Sequence, residues 1–153
     1  MSRLVFPTHV REQVLEQHVE LRNLLHRALA EAAPDGSDAP EPDAVRLRTV
    51  ALELCERFRA HLIFEAEALR PVLAVLDAWG PERIRDLERE HARQQQDLDA
   101  LLDRMEPGEA ALRLAPALQS LAGALLRDME EEEEEGCLRA SLLSAVSLTI
   151  ERR

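Results

Sequence analysis

The sequence contains no tyrosine and no lysine, and little glycine or aromatic residue. Of its 153 residues, 5 are glycine and 3% are aromatic, while 46% are hydrophobic and 32% are charged. So high an apolar content with so little glycine excludes a disordered or fibrous chain. The abundance of alanine, leucine, glutamate and arginine favours helices, so a β-rich fold is not expected. The length predicts one domain, residues 1–153, around a single buried core.

Basic residues are scarce compared with acidic ones. The 19 basic residues are all arginine, they face 30 acidic residues, and the net charge is -11. Such an acidic surface repels phosphate backbones and anionic lipid, so neither nucleic acid nor a membrane surface is an expected partner. The same acidity is compatible with carboxylates that bind metal ions.

Cysteines and long apolar runs are also scarce. Cys55 and Cys137 form no CxxC pair and fit a reducing compartment better than a disulfide-stabilised fold. The first ten residues, MSRLVFPTHV, lack the apolar stretch of a signal peptide. The longest weakly polar run, residues 140–150, is too short to span a bilayer. We therefore expect a cytoplasmic protein.

Prolines and glycines delimit the first half of a four-helix pattern. The first helix is predicted to start after Pro7, with Thr8 as a candidate N-cap, and to end before Pro34. A polar loop follows, up to about residue 42. The second helix is predicted from an N-cap at Asp43 to about residue 78, with a kink or a loss of regular hydrogen bonding at Pro71.

Two further helices follow the sequence Trp79-Gly80-Pro81. The third is predicted to run from there to a stop before Pro107. The fourth is predicted over residues 109–150, with a break or a short preceding turn at Pro116. Four amphipathic segments with short connections predict an all-α, antiparallel up-down four-helix bundle.

Polar residues interrupt the apolar face of each predicted helix. His18 shares a face with the surrounding valines and leucines of the first helix, and His61 and Glu65 project from one face of the second. His91 lies on the apolar face of the third helix. In the fourth, the run Glu130 to Glu135 covers every direction around the helix, so at least one carboxylate must face inward. A buried anion costs several kcal/mol unless it is protonated, paired or bound to a cation.

Each of these signals has an ordinary structural explanation when taken alone. A single histidine on an apolar face, such as His18, is usually a hydrogen-bonded core residue. A run of glutamates is usually a solvated helix face. Convergence from four helices instead favours a two-metal site, because carboxylates can bridge two cations while imidazoles complete their coordination.

Three segments together resemble a known family over essentially the whole chain. They are EQHVELRNLL around His18, FRAHLIFEAEALRPVL around His61 and Glu65, and EREHARQQQDL around His91. They resemble the hemerythrin-like, or HHE cation-binding, family, whose helices carry a His, an HxxxE, an HxxxH and a His followed by an acid. The HxxxE segment with its following leucines and proline is the most specific of the matches.

Two positions depart from the family pattern. Gln95 stands where the third helix has its second histidine, and it is either a weak neutral ligand or a surface residue of the QQQ stretch. Aligning the second helix with the fourth places Glu130 at the missing histidine, with Glu134 or Glu135 as the bridging acid. Because the run is uniform, a shift of one residue would not be visible in the sequence.

The resemblance implies a carboxylate-bridged pair of non-heme iron ions, with manganese or zinc as other candidates. Its implied functions are O2 binding, redox sensing or O2 reduction, with O2 or peroxide as the small ligand, or iron handling. The extra carboxylate is expected to favour ferric iron, to lower the reduction potential and to slow O2 release. The implied metal-binding residues are His18, His61, Glu65, His91, Gln95, Glu130 and Glu134.

Other interpretations remain open at this level. The departures are also compatible with a degraded site that binds one metal, such as zinc, or none. A metal-free helical interaction module would use the glutamate run to contact a basic protein partner. No motif for an organic substrate is present, so O2 reduction or ferroxidase-like chemistry is the only enzymatic activity suggested. Cys137 is either a small buried filler or a residue that senses oxidation near the metal.

Overall fold

The computed structural model describes residues 2–32, 38, 40–105, 111–143 and 148–151. Within these residues, the helices are α1 (Pro7–Ala32), α2 (Ala44–Leu76), α3 (Gly80–Asp103) and α4 (Ala111–Glu134). Helix α1 packs against α2 and α4, and α3 packs against the same two helices. The predicted all-α, antiparallel four-helix bundle is confirmed.

The starts of the first two helices follow from local chemistry. Asp43 caps α2 as predicted, since its Oδ1 accepts hydrogen bonds from the backbone N–H groups of Val45, at 2.8 Å, and Arg46, at 3.1 Å. In α1, Pro7 is itself the first helical residue, so Thr8 lies inside the helix and is not its N-cap. A proline fits this first position because the N–H that it lacks has no partner within the helix.

The turn between α2 and α3 is tight. Helix α2 does not end at Pro71 but continues to Leu76. At the start of α3, a Cβ on Gly80 would lie 2.6 Å from the carbonyl oxygen of Leu73, so no larger residue fits there without a shift. Pro81 follows in the first turn of α3, as predicted.

The fourth helix is much shorter than predicted. The predicted helix to residue 150 is wrong, because α4 ends at Glu134 and turns follow over residues 135–143. Adjacent carboxylates repel one another, and the negative end of the helix dipole adds to the cost of extending a glutamate run at a C-terminus. Pro116 lies inside α4 and does not break it. The predicted start at residue 109 lies outside the described residues.

Two short strands supplement the bundle. Strand β1 (Ser2–Val5) pairs antiparallel with β2 (Leu148–Glu151), where the sequence predicted the continuation of a helix. No helix among the described residues is both long and apolar enough to cross a membrane.

Apolar side chains form two clusters, one above and one below a polar layer. The larger cluster, here called the upper cluster, contains Phe58 and Met129. The smaller, here called the lower cluster, contains Val14, Leu69 and Leu138. On α1, α2 and α3 the chain passes from one cluster to the other through polar residues, and it reaches the lower cluster again at Leu138, after the end of α4. The buried polar side chains of this layer are His18, His61, Glu65 and Gln94.

Candidate metal centre

Helix geometry brings the polar residues of the layer to one level. His61 and Glu65 are four residues apart on α2, so both project from the same face, one turn apart. His18 faces them from α1 and is fully buried, with no exposed surface. His91 on α3 completes the group from the opposite side of Glu65 and is 16% exposed.

Three ligand-type atoms converge at the centre of the layer. His18, His61 and Glu65 each offer an atom suited to a metal ion, and these atoms all lie within 4.8 Å of one another. Oε1 of Glu65 is 3.2 Å from Nε2 of His61 and 3.9 Å from Nε2 of His18. The two imidazole rings stand edge to face with their centroids 4.9 Å apart.

Two of these atoms are buried without a hydrogen-bond partner. They are Nε2 of His18 and Oε1 of Glu65. A buried polar atom left unsatisfied costs about 1–3 kcal/mol, so such atoms are rare in native structures unless something else binds them. A nitrogen lone pair and a carboxylate oxygen that face each other at this distance are suited to a cation.

Hydrogen bonds from outside the centre orient both imidazoles. Nδ1 of His61 lies 2.8 Å from Oε1 of Gln17, and Nδ1 of His18 lies 2.6 Å from Oε1 of Glu133. Because these partners are acceptors, each Nδ1 carries the proton and each Nε2 keeps its lone pair in the neutral ring. Arg22 donates to the same oxygen of Glu133 at 2.7 Å and fixes it in turn. Metal-binding histidines are commonly held in this way.

Glu65 presents its two oxygens to different imidazoles. Oε1 faces His18 and His61, whereas Oε2 lies 2.9 Å from Nε2 of His91. Burial acts to raise the pKa of Glu65, but its interactions with His61 and His91 outweigh it and bring the pKa to about 2. The carboxylate is therefore ionised at neutral pH and can contact cations on both of its sides.

Burial shifts the pKa values of two side chains next to Glu65, those of His18 and Glu132, toward the neutral forms. Burial lowers the pKa of His18 despite its hydrogen bond to Glu133. Oε2 of Glu132 lies 3.6 Å from Nε2 of His18. Burial, followed by the charge of Glu65, raises the pKa of Glu132 well above its usual value.

The pKa of Glu133, the neighbour of Glu132, is shifted in the opposite direction. Burial opposes ionisation of Glu133, but hydrogen bonds from His18 and Arg22 outweigh it and lower the pKa. The pKa values of two neighbouring glutamates in one uniform run are thus shifted in opposite directions. Glu65 places one negative charge in the centre. Glu133, which is paired with Arg22, places a second on its outer side.

Four of the seven residues singled out in the sequence lie together in the structure. They are His18, His61, Glu65 and His91. Gln95 is turned away, since its Nε2 donates to Oδ1 of Asp99 at 3.0 Å. Its neighbour Gln94 is the buried amide of the QQQ stretch and donates to Asp128 at 3.2 Å.

The two glutamates predicted from α4 do not reach the cluster. Glu130 and Glu134 are exposed, and Glu132 and Glu133 face inward instead. The alignment of the second helix with the fourth assumed that the chain stays helical after the glutamate run, but α4 ends at Glu134. A turn does not keep the helical spacing, so the alignment with α2 failed at that point.

A different signal in the sequence indicates which glutamates of the run face inward in the structure. Leu125 and Met129 are four residues apart and buried on the inner face of α4. Continuing their spacing by three or four residues leads to Glu132 and Glu133, because side chains at i+3 and i+4 share a face. Counting forward from the helix interior would therefore have identified them. Gln17 carries no comparable signal, since its role depends on where α2 places His61.

The centre borders a small polar group between α3 and α4. Glu90 lies near Gln94 and Asp128, and its Oε1 is 3.4 Å from Nε2 of Gln94. Burial and then the charge of Asp128 raise the pKa of Glu90 to about 7. A cavity of about 380 Å³ opens beside these residues and reaches Glu132 and Cys137.

Comparison with known proteins identifies one family. A family model described as the hemerythrin HHE cation-binding domain matches residues 9–136. That segment contains His18, His61, Glu65, His91 and Glu132. Comparisons with curated proteins and with solved structures give no match. Because the match spans most of the chain and nearly all of the four helices, this chain belongs to the hemerythrin HHE cation-binding domain family.

Proposed function

We propose that the chain binds two non-heme iron ions in its polar layer and uses them to bind O2 or peroxide or to sense redox state. The observation that carries this proposal is the pair of unsatisfied buried atoms, Nε2 of His18 and Oε1 of Glu65, which face each other between two apolar clusters. A core without a cation would leave both atoms uncompensated. Imidazole and carboxylate together form a donor set suited to iron.

Each residue has a distinct task in this proposal. His18 and His61 would hold one ion and His91 the other, and Glu65, whose two oxygens face different imidazoles, would supply a carboxylate to both. Glu132 supplies the acid of the fourth helix. The bound irons supply one-electron oxidation and reduction. The ring centroid of Phe58 lies 5.6 Å from that of His61. Phe58 and the rest of the upper cluster exclude bulk water from one side of the centre.

A carboxylate-rich centre is expected to favour the ferric state. The inward residue of α4 that faces His18 is a glutamate, Glu132, where the family resemblance implies a histidine from the fourth helix, and Gln95 bonds to Asp99 instead of the cluster. An anionic oxygen donor stabilises the higher charge of ferric iron more than a neutral imidazole does. We therefore expect a lower reduction potential than in five-histidine members of the family, and poor release of O2. A potential at or above that of such a member would contradict this part of the proposal.

Metal analysis of the purified protein tests the proposal. We expect two iron ions per chain by mass spectrometry after anaerobic loading with ferrous iron and removal of excess. Air oxidation should then produce the near-ultraviolet absorption of ferric iron, and a reductant should remove it. One zinc ion that iron cannot replace would indicate a degraded site. Absence of any bound transition metal would indicate a metal-free interaction module instead.

The register of the glutamate run gives a separate prediction. Glu132→Gln should weaken iron binding by about tenfold or more, because it removes an inward-facing carboxylate, only 10% exposed, that faces His18. Glu134→Gln and Glu130→Gln are matched controls on the same helix and should leave the affinity unchanged, because both residues are exposed. Competition with a chromophoric iron chelator measures all three. A larger effect at position 130 or 134 than at 132 would restore the register inferred from the sequence.

A further inference from the structure

The chain folds back over Glu132 immediately after α4. The backbone N–H of Gly136 donates to the carbonyl of Glu131 at 2.9 Å, and that of Leu138 donates to the carbonyl of Glu132 at 3.1 Å. A Cβ on Gly136 would lie 2.8 Å from Cα of Glu132, so the turn requires glycine at this position. The turn therefore brings residue 137 alongside the side chain of Glu132.

Cys137 makes a specific contact at the end of this turn. Its Sγ donates a hydrogen bond to Oε1 of Glu132 at 3.2 Å. The other oxygen, Oε2, then faces Nε2 of His18 at 3.6 Å. That nitrogen is fully buried and has no hydrogen-bond partner, which points independently to a cation between these side chains.

The turn that carries Cys137 is anchored at Leu138 by packing and by a hydrogen bond. Leu138 has no exposed surface and packs in the lower cluster with Val14 and Leu69. Nε of Arg11 donates to the carbonyl oxygen of Leu138 at 2.6 Å, which ties the turn to α1. The thiol is therefore presented to Glu132 by a fixed backbone, and it can restrict the carboxylate to one orientation.

We propose that Cys137 is a positioning residue, whose S–H holds Glu132 with its free oxygen directed at His18 and so increases the affinity of the centre for cations. This inference rests on the proposed function, because it concerns the same centre. It also explains why Glu132 is singled out within a uniform glutamate run, since the Gly136–Cys137 turn reaches that side chain. Partners that orient a metal ligand typically change metal affinity by about 10–100-fold.

Two substitutions at position 137 separate positioning from packing. Cys137→Ala removes the donor and should weaken ferrous iron binding about tenfold. Cys137→Ser keeps a donor of similar size and should stay within about threefold of wild type. Cys55→Ala is the matched control, because that thiol is buried in the upper cluster and lies 3.9 Å from the carbonyl of Leu98. It should leave the affinity unchanged.

Affinity is measured with ferrous iron under anaerobic conditions by competition with a chromophoric chelator, and the melting temperature of each iron-free variant is recorded. In a Glu132→Ala background, Cys137→Ala should cause no further loss, because the group that it positions is gone. An undiminished loss in that background overturns the inference, as does serine that binds as weakly as alanine. Wild-type affinity of Cys137→Ala overturns this inference alone, whereas no iron binding by the wild type overturns the proposed function as well.

Discussion

Glu65→Ala is expected to remove nearly all bound iron. Glu65 is the residue whose two oxygens face imidazoles on both sides of the centre, at 3.2 Å from His61 and 2.9 Å from His91. Its loss removes the bridging charge, and we expect affinity to fall more than about a hundredfold, beyond the effect of an outer hydrogen-bond partner. Iron per chain, measured by mass spectrometry after loading and desalting, reports the result. His61→Ala should behave similarly.

A neighbouring glutamate provides the control for this experiment. Glu67 lies two residues further along α2 and is exposed. Glu67→Ala removes the same functional group from the same helix, so it should retain the wild-type iron content. If Glu65→Ala and His61→Ala both retain the wild-type content as well, the assignment of α2 to the metal centre is wrong.

Iron binding is expected to stabilise the fold markedly. A ligand present at about 100 times its Kd stabilises the native state by about 2.7 kcal/mol. For a chain of this size, that corresponds to a rise in melting temperature of roughly 5–10 °C. The unsatisfied atoms of His18 and Glu65 supply the physical reason, since a cation compensates their burial. Thermal unfolding followed by circular dichroism, without iron and with excess ferrous iron, measures the shift.

Two comparisons make the thermal experiment specific. Addition of a chelator to the iron-loaded protein should return the melting temperature to its iron-free value. Glu65→Ala should show no rise on addition of iron, whereas Glu67→Ala should show the full rise. An equal rise in wild type and Glu65→Ala would mean that iron stabilises the protein from another site, such as the exposed glutamates of α4.

The bundle and three sides of its polar layer could be predicted from the sequence. Apolar residues repeat at helical spacing on α1, α2 and α3, so a histidine in that repeat must face the core, as His18 and His61 do. The four-residue spacing of His61 and Glu65 fixes their common face. What the sequence could not provide is the orientation of these side chains, because the hydrogen bond that His61 donates to Gln17 depends on how α1 and α2 pack.

The residues that α4 contributes to the polar layer were predicted less well, for a physical reason. In a run of identical glutamates, no side-chain contrast marks which residue faces inward. The structure determines this through features on either side of the run, namely Met129 before it and the Gly136–Cys137 turn after it. Gln95 illustrates a related difficulty. Its side chain has two nearby candidate hydrogen-bonding partners, Asp99 and the centre, and the sequence does not show that it bonds to Asp99.

Anomalous diffraction from iron-loaded crystals, recorded at the iron absorption edge, tests the central claim most directly. The account predicts two iron peaks within the polar layer, one in contact with Nε2 of His18 and of His61, the other with Nε2 of His91, and both beside Glu65. It is contradicted if crystals grown with ample iron show no peak among these side chains, or show peaks only at the exposed carboxylates of Glu130 and Glu134.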